Sequence, residues 1–80
     1  MSREEVIAKV TEVFRDVFND ESIVIQDQTT AADIKGWDSL RHITLIENIE
    51  EELDMRFTML EVNCMKNVGE MIDIITERIK

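Results

Sequence analysis

The residues best placed to do chemistry in this chain are Gly36-Trp37-Asp38-Ser39, followed by Leu40. They set a serine hydroxyl where a polar loop turns into an amphipathic helix. Asp38 is suited to cap that helix, because its side-chain oxygen accepts a hydrogen bond from a first-turn N–H. Gly36 allows a sharp turn just before it. Ser39 then falls in the first turn, where unpaired N–H groups and the helix dipole favour an anion. A phosphoester formed on this hydroxyl would be stabilised by its position.

The elements that must hold this serine are read from periodicity and caps. Ser2 and Glu5 are spaced as a capping box. Behind them Val6, Ile7, Val10, Val13, Phe14, Val17 and Phe18 trace one helical stripe, which predicts a helix from about Arg3 to Phe18, ended by Asn19-Asp20. From Asn19 to Asp38 no comparable stripe exists, and a loop of that length normally has a job. Ile23, Val24, Ile25 and Ile34 are expected to pin it across the bundle. Trp37 either joins them or stays partly exposed beside Ser39. A short helical turn fits near Ala31–Ile34.

The second helix is expected from about Ser39 to Leu53. Leu40, Ile43, Ile46, Ile49 and Leu53 should point inward, with Leu45 on the flank and Glu47, Glu50, Glu51 and Glu52 outside. Thr58 and Glu61 form another capping pair, opening a short helix from about Met59 to Met65. Asn67 and Glu70 form a third, opening a last helix from about Val68 to Ile79 that ends with Arg78 and Lys80. The methionines Met55, Met59, Met65 and Met71 read as core filler. The fold class is therefore all-α: a four-helix bundle with a long first loop and a short third helix, one domain spanning residues 1–80.

Composition narrows the function classes. Eighty residues leave no room for an enclosed cleft with a full catalytic constellation. Nine basic against 18 acidic residues give a net charge of −9, which repels nucleic acid and anionic lipid and suits basic patches on protein partners. A hydrophobic content of 44% is enough for a core, so acidity does not imply disorder. One cysteine, Cys64, and one histidine, His42, cannot build a zinc site, and no loop alternates acids as calcium sites do. Cys64 reads as a small apolar residue on a helix. No apolar run approaches the roughly 18 residues of a membrane span, and no signal peptide stands at the start, so a cytoplasmic protein is expected. Charged faces with no obvious large apolar patch predict a monomer.

Gly36, Asp38, Ser39 and Leu40 agree with the Gly-x-Asp-Ser-Leu motif of the acyl carrier proteins, and the chain resembles that family over nearly all its length. Ile43, Leu45, Ile46, Ile49, Glu50, Glu51, Glu52 and Leu53 read like the family's second helix. The resemblance implies that Ser39 receives 4′-phosphopantetheine from coenzyme A through a phosphopantetheinyl transferase, with magnesium at the transferase. It implies a thioester-bound acyl group delivered to acyl-loading and acyl-processing enzymes of fatty-acid or polyketide-type biosynthesis. The chain would be their partner and not itself an enzyme.

The docking residues implied are Arg41, Thr44, Glu47 and Glu51. The fatty-acid branch usually has carboxylates early in this helix, where Arg41 and Thr44 stand here. That departure points to a dedicated carrier of a specialised pathway, and keeps open a peptidyl or aminoacyl carrier of nonribosomal-peptide-type assembly. A non-carrier acidic interaction module is a further alternative. A small hydrolase using Ser39 and His42 would also need an orienting acid, an oxyanion hole and a sheltered pocket. His42 is expected at the surface, facing a partner.

Overall fold

The computed structural model describes residues 2–79, apart from the Cys64 side chain. Four helices follow in order: α1 (Arg3–Phe18), α2 (Ser39–Leu53), α3 (Met59–Cys64) and α4 (Val68–Arg78). A 3₁₀ turn at Ala31–Asp33 interrupts the long first loop. No strand occurs among the described residues, so the all-α architecture read from the sequence holds.

Caps set the helix boundaries. Ser2 and Glu5 close a full capping box on α1, and Thr58 and Glu61 close one on α3. Hydrogen bonds from Ser2 hold the Glu5 carboxyl below the ordinary glutamate value. The Thr58 N–H does the same for Glu61, helped by Arg78. The third pair is only half a box. Asn67 accepts from Glu70 N, but the Glu70 carboxylate takes the N–H of Lys66, one residue further out than expected. A further half box, not read from the sequence, opens the 3₁₀ turn: the Asp33 carboxylate accepts from Thr30 N at 2.9 Å, while Asp33 N donates to Thr30 O. Asn19 and Asp54 end α1 and α2 in the left-handed conformation, with φ of 51° at each.

Helix α1 packs against both α2 and α4. Its Val6, Val10, Val13 and Phe14 meet Leu45, Ile46, Ile49 and Leu53 of α2 and Val68, Met71, Ile72 and Ile75 of α4 in one core. Two expectations for α2 are overturned. Leu40 and Ile43 do not point inward; they are 74% and 52% exposed, while Leu45, expected on the flank, is fully buried. The core stripe runs 42, 45, 46, 49, 53, so the polar His42 holds the inward place of its first full turn. Among the methionines, Met55 and Met71 are buried and Met59 is 78% exposed, so Met59 fills no core. Glu50 is not on the solvated face either: its carboxylate accepts the Phe57 N–H at 2.9 Å and fixes the α2–α3 connector. Helices α3 and α4 each end one residue earlier than expected, and Lys80 lies outside the described residues, as does the reading of the Cys64 side chain.

The first loop is anchored, as its length suggested. Ile23, Ile25 and Ile34 are buried, whereas Val24 between them is exposed, because extended chain alternates its side chains. The loop also docks on the start of α4. Val68 N donates to Thr29 O at 2.8 Å and Gly69 N to Asp27 O at 2.9 Å. These bonds satisfy two first-turn donors that α4 itself leaves unpaired. Arg3 of α1 grips both Asp27 of the loop and Asp73 of α4.

The seat at Gly69 is close. A Cβ there would stand 2.9 Å from Asp27 O and 3.1 Å from Asp27 Cβ. Alanine gains about 1 kcal/mol of helix propensity, but this contact is with backbone and forces the loop off its two bonds. Gly69→Ala is therefore expected to lower stability by about 1–2 kcal/mol. An unchanged or higher midpoint in urea unfolding would contradict that account.

Candidate functional site

Ser39 is the first residue of α2 and is exposed. The local geometry follows from the three residues before it. Gly36 takes φ of +89°, a value that costs any residue with a Cβ. Trp37 N then donates to Ile34 O and Asp38 N to Gly36 O, which winds the chain tightly into the helix. Asp38 lies in extended conformation and accepts the Arg41 N–H at 2.8 Å, so it is the N-cap expected from the sequence. Its own carbonyl accepts from His42 N at 2.8 Å.

This arrangement leaves a specific vacancy in hydrogen bonding. Among the described residues nothing pairs with the N–H of Ser39 or Leu40, nor with Ser39 Oγ. Two free donors and the positive end of a 15-residue helix therefore face the same solvent as the hydroxyl. A groove of about 440 Å³ opens beside it, walled by Trp37, Asp38, His42, Ile43, Val62, Met65 and Lys66 among others. The residues fit a phosphodiester on Ser39: space, two donors and no competing partner for the oxygen.

Trp37 does both things the sequence left open. It packs against the core, perpendicular to Phe14 with ring centroids 5.3 Å apart at 84°, and against Phe18 at 6.1 Å. It also lines the groove beside Ser39. His42 departs from its expected role as a surface residue facing a partner. It is half-buried, and both ring nitrogens are engaged, Nδ1 with Trp37 Nε1 at 3.1 Å and Nε2 with Val62 O at 3.1 Å. No hydrogen bond joins it to Ser39 among the described residues, so nothing here activates the hydroxyl as a triad would. The polar identity of His42 on the buried stripe was the signal that could have revealed this bridge.

The four implied docking residues do not share one face. Thr44, Glu47 and Glu51 lie with Leu40 on the outward stripe at steps of four, three and four. Arg41 turns aside, and its Nη1 donates to Val17 O at 2.8 Å at the end of α1. The exposed face also carries more apolar surface than the sequence suggested: Leu40 and Ile43 on α2, Met59 and Leu60 on α3. Among the described residues no group of acids, histidines and cysteines is arranged to hold a metal, and no helix is long and apolar enough to cross a membrane.

If the Asp38 cap sets the start of α2, then Asp38→Ala should cost about 1 kcal/mol and speed amide exchange at Arg41 selectively. Uniform loosening of all four helices would instead assign Asp38 a wider role.

No protein-family model and no curated protein matches the chain. Among solved structures it is similar to the solution NMR structure of a holo acyl carrier protein from Geobacter metallireducens. The TM-score is 0.85 and the identity 38%, over 91% of this chain and 84% of that one.

Proposed function

This chain belongs to the acyl carrier protein family, and from that premise we propose that Ser39 is its attachment point for 4′-phosphopantetheine. The observation that carries the reading is the exposed Ser39 Oγ, free of any hydrogen bond among the described residues, beside two unpaired N–H groups at the head of α2. On a phosphopantetheinyl transferase the Ser39 oxygen would lose its proton and attack the pantetheine-side phosphorus of coenzyme A, breaking the pyrophosphate P–O bond. Adenosine 3′,5′-bisphosphate would leave and the arm would stay on Ser39 as a phosphodiester. When bound, the arm supplies a terminal thiol that holds an acyl group as a reactive thioester. This chain's residues do simpler work. Gly36 and Asp38 set the turn and the cap that keep Ser39 at the helix end. The unpaired N–H groups of Ser39 and Leu40 would be available to the charge of a diester. Leu40 lies on the outward stripe next to it.

In this reading the protein is a carrier worked on by enzymes, not a catalyst, and meets them as a monomer in the cytoplasm. Glu47 and Glu51 on the outward stripe suit partners with basic docking patches. The upper half of that stripe is Leu40 and Thr44, without a carboxylate, and Arg41 beside it is cationic. That charge pattern favours a dedicated carrier of a specialised acyl pathway over a general fatty-acid carrier, since a basic patch would meet Arg41 as a like charge.

Incubation with coenzyme A and a broad-specificity transferase should raise the intact mass by one phosphopantetheine. Ser39→Ala should show no rise; an equal rise in that variant would remove Ser39 from the role. The pathway reading has its own test. Arg41→Asp with Thr44→Glu should improve use of the loaded carrier by a fatty-acid elongation enzyme by about tenfold, chiefly through a lower KM at low salt. Equal use of both proteins would leave the charge argument without support.

A further inference from the structure

His42 is the only histidine of the chain and Trp37 the only tryptophan, and they meet at a joint between three segments. Trp37 Nε1 carries a hydrogen and can only donate, so His42 Nδ1 must be the acceptor at 3.1 Å. A carbonyl can only accept, so His42 Nε2 must carry the proton it gives to Val62 O at 3.1 Å. The partners thus select one neutral tautomer, Nε2–H. The ring planes are 27° apart with centroids separated by 5.8 Å. With the two nitrogens at 3.1 Å, this is an edge-to-edge meeting. An imidazolium would face the indole N–H and not the ring face that attracts cations.

We propose that His42 is a proton-sensitive latch, which in its neutral Nε2–H form ties the loop before α2 to α3 and on protonation at Nδ1 lets them part. The second proton sets two donors against each other at the Trp37 contact. It leaves Val62 O as the only acceptor for a ring that has lost its anchor. The groups around the joint do not offset this. Behind Trp37, α1 presents Phe14 and Phe18, which are apolar. On the groove side stand the Asp38 carboxylate and the Lys66 ammonium, of opposite charge. Asp38 is engaged with Arg41 N, and Arg41 is turned to Val17 O. No carboxylate is bonded to the imidazole among the described residues.

Trp37, His42 and Val62 all line the groove beside Ser39, so the latch controls the shape of that groove. This goes beyond the carrier reading and does not need it, because the joint can be read in the unmodified chain.

The test uses that chain. Long-range nitrogen–proton NMR correlations at neutral pH should show Nε2 protonated and Nδ1 bare. Trp37 fluorescence and the His42 Cε1–H shift, followed through one pH titration, should change with a common midpoint. His42→Gln can accept from Trp37 and donate to Val62 without titrating, so its emission should stay flat over the same range. Below the midpoint, α3 amides of the wild type should exchange about tenfold faster than those of His42→Gln at the same pH, as expected for losing one or two hydrogen bonds. His42→Phe should show the acid-form emission throughout; if it does not fold, the comparison with His42→Gln still decides. An Nδ1–H tautomer, a Trp37 transition that survives in His42→Gln, or His42 titration without any change at Trp37 would each overturn the latch.

Discussion

The T-shaped pairing of Trp37 with Phe14 fixes where the first loop ends and where α2 begins. Phe14 is fully buried on α1, so its position is set by the core. An edge-to-face pair at 5.3 Å is worth about 0.5–1.5 kcal/mol beyond the area it buries. It acts on a residue only two positions before Ser39, with a positive-φ glycine in front and an N-cap behind. The loop, which puts Ile23, Ile25 and Ile34 into the core, thereby leaves it at Trp37. From that point α2 can bury its lower turns, from Leu45 to Leu53, while its first turn stands clear. Exposure of Ser39 is a consequence of this geometry.

The bundle's acidity has a matching internal logic. Arg3 joins α1 to the loop and α4 through Asp27 and Asp73. Arg15 donates to Ile23 O, Arg41 to Val17 O and Arg78 to Arg56 O while gripping Glu61. Four of the basic side chains thus tie loops and helix ends together. Carbonyl oxygens at helix termini and in turns are the natural acceptors for such groups. What remains on the lower outer side of α2 is Glu47, Glu51 and Glu52, all exposed.

Much of this was legible because short-range chemistry fixes it. Ser2, Asp38 and Thr58 announce helix starts by themselves, and the observed starts are those residues plus one. The serine at the head of α2 needed nothing more distant than Gly36 and Asp38. What could not be read depends on which of two apolar stripes the core selects. Leu40 and Ile43 are as apolar as Leu45 and Ile46, and periodicity alone does not choose between them. The choice is made by α1 and α4, which come from opposite ends of the chain. His42 was misplaced for the same reason, since its partners Trp37 and Val62 belong to two other segments. Glu50 sits in an acidic run, and only the folded connector gives it the Phe57 N–H.

The selection of one stripe leaves the other uncovered, and α3 adds to it. Two ties hold α3 alongside α2: Phe57 N to Glu50 near its start, and Val62 O to His42 near its end. Met59 and Leu60 fall between these ties and are 78% and 73% exposed. With Leu40 and Ile43 they put four large apolar side chains on the two helices that flank the groove beside Ser39. Among the described residues no further element covers them. Four such residues in water carry a standing cost of about 1.5–3 kcal/mol each relative to full burial. In the proposed role, a partner that approaches Ser39 would cover part of this surface, so that apolar burial supplies affinity while Glu47 and Glu51 set the orientation. The helix α3, six residues long, is held to α2 by the His42 bond to Val62 O and to α4 by the Arg78–Glu61 pair, so the exposed Met59 and Leu60 are presented from a fixed position.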